Sequence, residues 1–116
     1  MKKILFCAFL FSSVNLPADL TSNISKDLDS LMEKVIEWRH DIHQYPELGN
    51  REFRTSKKIE DHLKSLGIKV ETKIAYTGLV GILEGDLPGP TIALRADMDA
   101  LPVEEKTGLP FASKVR

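Results

Sequence analysis

Cysteine is nearly absent from the chain. Cys7 is the one cysteine in 116 residues, which excludes an intrachain disulfide framework and any multi-cysteine zinc site. No charge of one sign prevails: 16 Lys and Arg stand against 17 Asp and Glu, a net charge of −1. A nucleic-acid binder relying on bulk positive charge is thereby excluded. Seven Gly and six Pro are ordinary numbers and exclude collagen-like and low-complexity chains. Neither GxGxxG nor GxxxxGKS/T occurs, so the common phosphate-cradling loops are missing. The longest apolar run, Ile4–Phe11, falls far short of the ~20 residues that span a bilayer. What remains is a 42% hydrophobic chain, too apolar for disorder and long enough for one domain at most.

Met1–Ala18 reads MKKILFCAFLFSSVNLPA. Two lysines precede the apolar block, and a more polar stretch with a Pro and a terminal Ala follows. That is the three-part layout of a secretory signal peptide; the alternative is a buried N-terminal strand. Cleavage after Ala18 places Leu16 at the −3 position, where a small residue is preferred. Cys7 lies inside the apolar run with no small residues before it, which argues against a lipoprotein anchor. The expectation is an exported protein, periplasmic or secreted, with residues 1–18 removed and 19–116 forming the folded portion. That portion has no cysteine, so its stability comes from its core or from a larger assembly.

Beyond Ala18, Ile24, Leu28, Leu31, Val35, Trp38 and Ile42 recur at alternating spacings of four and three, one apolar stripe of an amphipathic helix. Ser22 or Asn23 is a candidate cap, and Pro46 ends the helix by excluding Tyr45 from the helical region. A turn over Glu47–Asn50 leads to a second helix, Glu52–Leu66, with Gly67 as its left-handed terminus. Ile68–Ile74 alternates as a half-buried strand. Leu79–Glu84 is a more apolar strand, GDLPGP over Gly85–Pro90 is a turn, and Thr91–Ala96 reads as a third strand buried on both faces. The order helix, helix, strand, strand, strand predicts an α/β layer with one sheet face covered. The polar stretch that ends at Arg116 carries no closing element and reads as a chain cut in mid-domain.

Chemistry concentrates at Leu94–Pro102, LRADMDALP. Ligands in open α/β sheets bind beyond the carboxyl ends of strands. Asp97 and Asp99 there are suited to binding a divalent metal or orienting a histidine ligand; a solvated Asp-rich turn is the plain alternative. His40 and His43, flanking Asp41, share a helix face, but helical metal sites more often space His by four, so a helix-end role is preferred. His62 is expected on a solvated face. Gly78, Gly81 and Gly85 read as turn and strand-packing glycines.

Three blocks, WRHDIHQYPELGNREFRTSKKIEDHL, LGIKVETKIAYTGLVGILEG and GPTIALRADMDALPVEEKTGLPFAS, occur in order over Trp38–Ser113. Together they resemble the N-terminal portion of the amidohydrolase branch of the aminoacylase and carboxypeptidase-type metallopeptidases, which includes hippurate hydrolases, N-acyl-amino-acid amidohydrolases and indole-acetyl-amino-acid hydrolases. The resemblance implies the N-terminal part of a zinc-peptidase-like α/β catalytic domain: two helices, then three strands of a mixed sheet, incomplete. It implies a metal-dependent amidohydrolase acting on N-acyl amino acids or small peptide-like amides, with two divalent ions, zinc or manganese, and a homodimer in the full-length protein. The implied metal ligands lie beyond Arg116, so the fragment alone is expected to bind no metal and to be inactive. By position in the motif, Asp99 is the carboxylate that orients a metal-bound histidine. Asp97 stands where the wider clan has a His ligand, near the metal site, with direct ligation left open. His43 and Glu47 of the HxxPEL block are read as fixing the turn between the helices. The competing expectation is a non-catalytic truncated product or a small binding module. Neither nucleic acid nor, after signal removal, a membrane is an expected partner.

Overall fold

The computed structural model describes residues 18–115, with side chains from residue 22 onward. The signal segment, but for Ala18, lies outside them. Four elements follow in order: α1 (Ala18–Gln44), α2 (Phe53–Ser65), β1 (Lys69–Ile74) and β2 (Gly78–Ile82). Residues up to Val35 form one compact unit and Ile36–Arg116 another. No helix among the described residues is long and apolar enough to cross a membrane.

In the first unit the apolar stripe is helical, as its spacing requires, and open to solvent: Leu28 is 58% exposed and Leu31 49%. The helix starts at Ala18, four to five residues before the expected cap. Ser22 and Asn23 are therefore helical and do not begin the helix; a cap residue stops a helix only if the chain before it leaves the helical region.

In the second unit, α1 ends at Gln44, ahead of Pro46. The α2 helix ends at Ser65, and Gly67 takes a φ of 76°, the left-handed conformation that costs glycine little. The hairpin β1–β2 is antiparallel, with Val70 opposite Gly81 and Glu71 opposite Val80. It packs on α2. A Cβ on Gly81 would lie 3.1 Å from Leu63 Cδ1 and 3.3 Å from Ile68 Cγ2, so the missing side chain lets helix and hairpin approach. A bulge between Thr72 and Ile74 breaks the alternation, and Lys73 sits at a φ of 62°. Of the β1 residues, Val70 alone is half-buried and the others are exposed. The strand is therefore less covered than its alternation predicts.

The third strand does not form. Thr91–Ala96 is irregular, with Ile92 83% and Leu94 96% exposed. A strand exists through hydrogen bonds to a neighbour, and among the described residues β1 and β2 pair only with each other. The apolar run supplies a reason for burial but no ladder partner. The α/β order of two helices followed by strands stands, with two strands in place of three. Among the described residues the one parallel pairing is an isolated bridge, Leu48 with Ala100. No hydrophobic side chain among the described residues is buried; Thr55 is fully buried, and Glu52 and Thr77 are buried less completely.

Candidate functional site

The second unit is organised around the turn Pro46–Asn50, and Glu47 is its centre. Backbone N–H groups in the first turn of a helix have no intrahelical acceptor. At the start of α2 the capping position, Glu52, forms no side-chain cap. Glu47 reaches in instead: its Oε1 accepts the Arg54 N–H at 3.0 Å and its Oε2 the Thr55 N–H at 2.7 Å. A carboxylate at a helix N-terminus is also favoured by the helix dipole. Burial pushes the Glu47 carboxyl up, but the hydrogen bonds from Arg54 and Thr55 outweigh it and leave it below the ordinary range. Glu52 turns the other way and accepts a hydrogen bond from the Thr77 hydroxyl, which joins the start of α2 to the hairpin turn.

Asp41 ties the two helices together. Its carboxylate meets Arg54 Nη2 at 2.6 Å and Lys58 Nζ at 2.5 Å, and these hydrogen bonds, Lys58 foremost, lower its pKa. Trp38 lies against His62, ring centroids 4.5 Å apart. His62 is thus half-buried against an indole, not on the solvated face its neighbours suggest. His40 and His43 do not pair with each other. His40 stacks on Phe111 at 3.8 Å, and His43 meets the same ring edge-on at 5.7 Å.

The Asp97–Asp99 segment docks on the Glu47 turn. The Ala100 N–H donates to the Glu47 carbonyl at 2.8 Å, beside the Leu48–Ala100 bridge. Asp99 is exposed, and its Oδ2 lies over Gly49, 3.6 Å from where a Cβ would stand. Asp97 is 70% exposed and accepts from Arg95 Nε at 3.0 Å. Past Ala100 the chain borders an open cleft of about 560 Å³, lined in part by Pro46, Leu48, Leu101, Val103 and Glu105.

Glu105 closes this loop, and reasoning from sequence missed it. Its Oε2 accepts from His43 Nε2 at 3.0 Å and from the Ser113 N–H at 2.6 Å, and its Oε1 accepts from the Thr107 hydroxyl. The Thr107 hydroxyl, the Ser113 N–H and His43, in that order, bring its pKa down to about 2. Nothing in VEEKTG separates Glu105 from the solvated Glu104 beside it; the signal is the fold.

Relatives carry a similar sequence over most of these residues. The chain is 46% identical over 99 residues to thermostable carboxypeptidase 1 of Saccharolobus solfataricus, covering 84% of this chain and 25% of the relative. It is 49% identical over 88 residues to an N-acetyl-L-cysteine deacetylase of Bacillus subtilis, covering 76% and 21%. It is 47% identical over 88 residues to a hippurate hydrolase of Campylobacter jejuni, covering 76% and 22%. No family model matches the chain. Its structure superposes on the crystal structure of the Bacillus subtilis YxeP protein, a dinuclear metal-binding peptidase of the M20 family, with a TM-score of 0.69 and 42% identity over 75% of this chain and 25% of that one. Fold and sequence blocks together match part of the α/β domain of these relatives. The chain is a homologue of M20-family amidohydrolases over the aligned residues, and spans about a quarter of the length of the relatives it matches.

The described residues do not by themselves fit a metal centre. Among them no three of His, Cys, Asp and Glu converge. Asp97 is turned to Arg95, the one histidine ion-paired to a carboxylate is held by Glu105, and Asp99 faces a glycine.

Proposed function

We propose that this chain is part of a metal-dependent amidohydrolase that cleaves the amide bond of N-acyl amino acids or small peptide-like substrates. The observation that carries the reading is the docking of the two most distinctive sequence blocks on one another. PELG and RADMDALP, far apart in sequence, meet through the Ala100–Glu47 hydrogen bond and the Leu48–Ala100 bridge. The deacetylase and hydrolase names of relatives at 47–49% identity support the substrate class. In this reading Asp99 is an orienting carboxylate at the rim of the site and Asp97 its neighbour. The metal ligands come from sequence outside these 116 residues, and the segment alone is inactive. The proposal includes two divalent ions, zinc or manganese, a homodimeric full-length protein, and export with removal of Met1–Ala18.

The test is hydrolysis of a panel of N-acetyl and N-benzoyl amino acids by the product of the whole reading frame. Release of free amino acid that a chelator abolishes is the expected result. A metal-supplemented protein that releases none would favour a non-catalytic module. N-terminal sequencing of the same material is expected to begin after Ala18, and an intact Met1 on cytoplasmic protein would overturn the export proposal.

A further inference from the structure

The position of Asp99 has one anchored side. Upstream, among the described residues, no turn, loop or capping backbone hydrogen bond reaches residues 83–98, and Leu83, Leu87, Ile92 and Leu94 are all more than four-fifths exposed. Downstream, the Ala100 N–H is bound to the Glu47 carbonyl, and the loop then turns back to α1, where the Lys114 N–H donates to the Gln44 carbonyl at 2.8 Å. Between these two anchors stands Glu105. Its side chain is 14% exposed, and its two oxygens take three donors from separate places: the ring of His43 on α1, the hydroxyl of Thr107 and the backbone of Ser113. Phe111 seals the same spot by packing on His40 and His43.

We infer that Glu105 is a positioning residue: through His43, Thr107 and Ser113 it fixes the Leu101–Ser113 loop on the end of α1 and thereby holds Asp99 over the Glu47–Gly49 turn. The assignment rests on the reading of Asp99 given above. An ionised carboxylate suits the task because hydrogen bonds to it are stronger than neutral ones, and because three donors around one carboxylate fix its direction. Glutamine at this position keeps the shape but replaces one acceptor oxygen with an NH₂ group that cannot accept from Ser113 or Thr107.

Amide hydrogen exchange of the whole protein tests this without any activity. In Glu105→Gln, the N–H groups of both Ser113 and Ala100 are expected to exchange faster, on the order of tenfold, while the amides paired between β1 and β2 keep their rates. Faster exchange at Ser113 with Ala100 unchanged would overturn the inference, since Glu105 would then organise only its own loop. If Glu105→Gln also loses the hairpin protection, His43→Ala, which removes one donor of three, asks the same question with the same two readouts. In the whole protein, Glu105→Gln is expected to lower kcat several-fold with KM little changed, because Asp99 is displaced while the substrate contacts remain. Wild-type protein without hydrolysis would refute the proposed function and leave the exchange comparison to decide the role of Glu105.

Discussion

Replacing Glu47 by alanine tests how the second unit is held together. The carboxylate satisfies two of the orphan N–H groups of α2, those of Arg54 and Thr55. Removing a side-chain cap costs typically ~1 kcal/mol and up to about 2, and the lost charge at the helix N-terminus belongs to the same effect at ~0.3–1 kcal/mol. Together these place Glu47→Ala at about 1–2 kcal/mol. Each 1.4 kcal/mol is a factor of about ten in an opening equilibrium, so amide exchange in the middle of α2, from Ile59 to Leu63, is expected to accelerate by roughly 5–30-fold. Glu47→Gln, which keeps one acceptor oxygen, is expected to lose about half as much free energy. The pH dependence has a definite sign. The carboxyl of Glu47 is held below its ordinary value of 4.5, so its stabilising effect is complete above about 4.5 and is lost as pH falls through the lowered value. Exposed Glu84 provides the control. If Glu47→Ala leaves α2 exchange within twofold of the wild type while Glu84→Ala behaves the same, Glu47 does not cap the helix and the account of the turn is wrong.

Three further outcomes are expected. Gly78→Ala should destabilise the hairpin more than Gly81→Ala in urea titrations followed by amide signals, because its Cβ would lie 2.6 Å from the Ile74 carbonyl oxygen, against side-chain atoms at 3.1 and 3.3 Å for Gly81; overpacking of this kind costs about 1–3 kcal/mol. The pKa of Glu105 is lowered from 4.5 to about 2, so its contribution to the loop persists as pH falls to 4 and disappears on approach to 2; loss of Ser113 protection already at pH 5 would contradict this. The 116-residue chain should show a broad or absent urea transition at Trp38, since no hydrophobic side chain among the described residues is fully buried, whereas a sharp cooperative melt in a monomer would favour an independent module.

Local rules made much of this fold legible. The four-three spacing of Ile24 to Ile42 yields α1, Pro46 stops it, and Gly67 adopts the left-handed terminus expected of it. The hairpin follows from alternation and a short turn. What failed was decided at a distance. Thr91–Ala96 has the composition of a buried strand, but composition cannot supply a partner, and the run lies open. Ser22 and Asn23 have cap chemistry, yet the helix extends back to Ala18. Asp99 and the HxxPEL turn each stand out in the sequence, while their meeting through Ala100 does not, since that contact joins residues half the chain apart. Glu105 does not stand out, because an exposed acid and a triply bonded one look alike in a sequence.

The central claim is that this segment belongs to a metal-dependent amidohydrolase in which Asp99 orients the site. The most direct measurement is the rate of amino-acid release from an N-acyl amino acid by the whole protein and its Asp99→Asn variant, with bound metal determined in parallel. Asparagine is nearly isosteric, so the fold should survive, while loss of a carboxylate that orients a metal ligand typically costs ~10–100-fold in activity or metal affinity. A loss of that size with an unchanged circular-dichroism spectrum is the predicted result. Full rate and full metal content in Asp99→Asn would make Asp99 a turn residue and contradict the account.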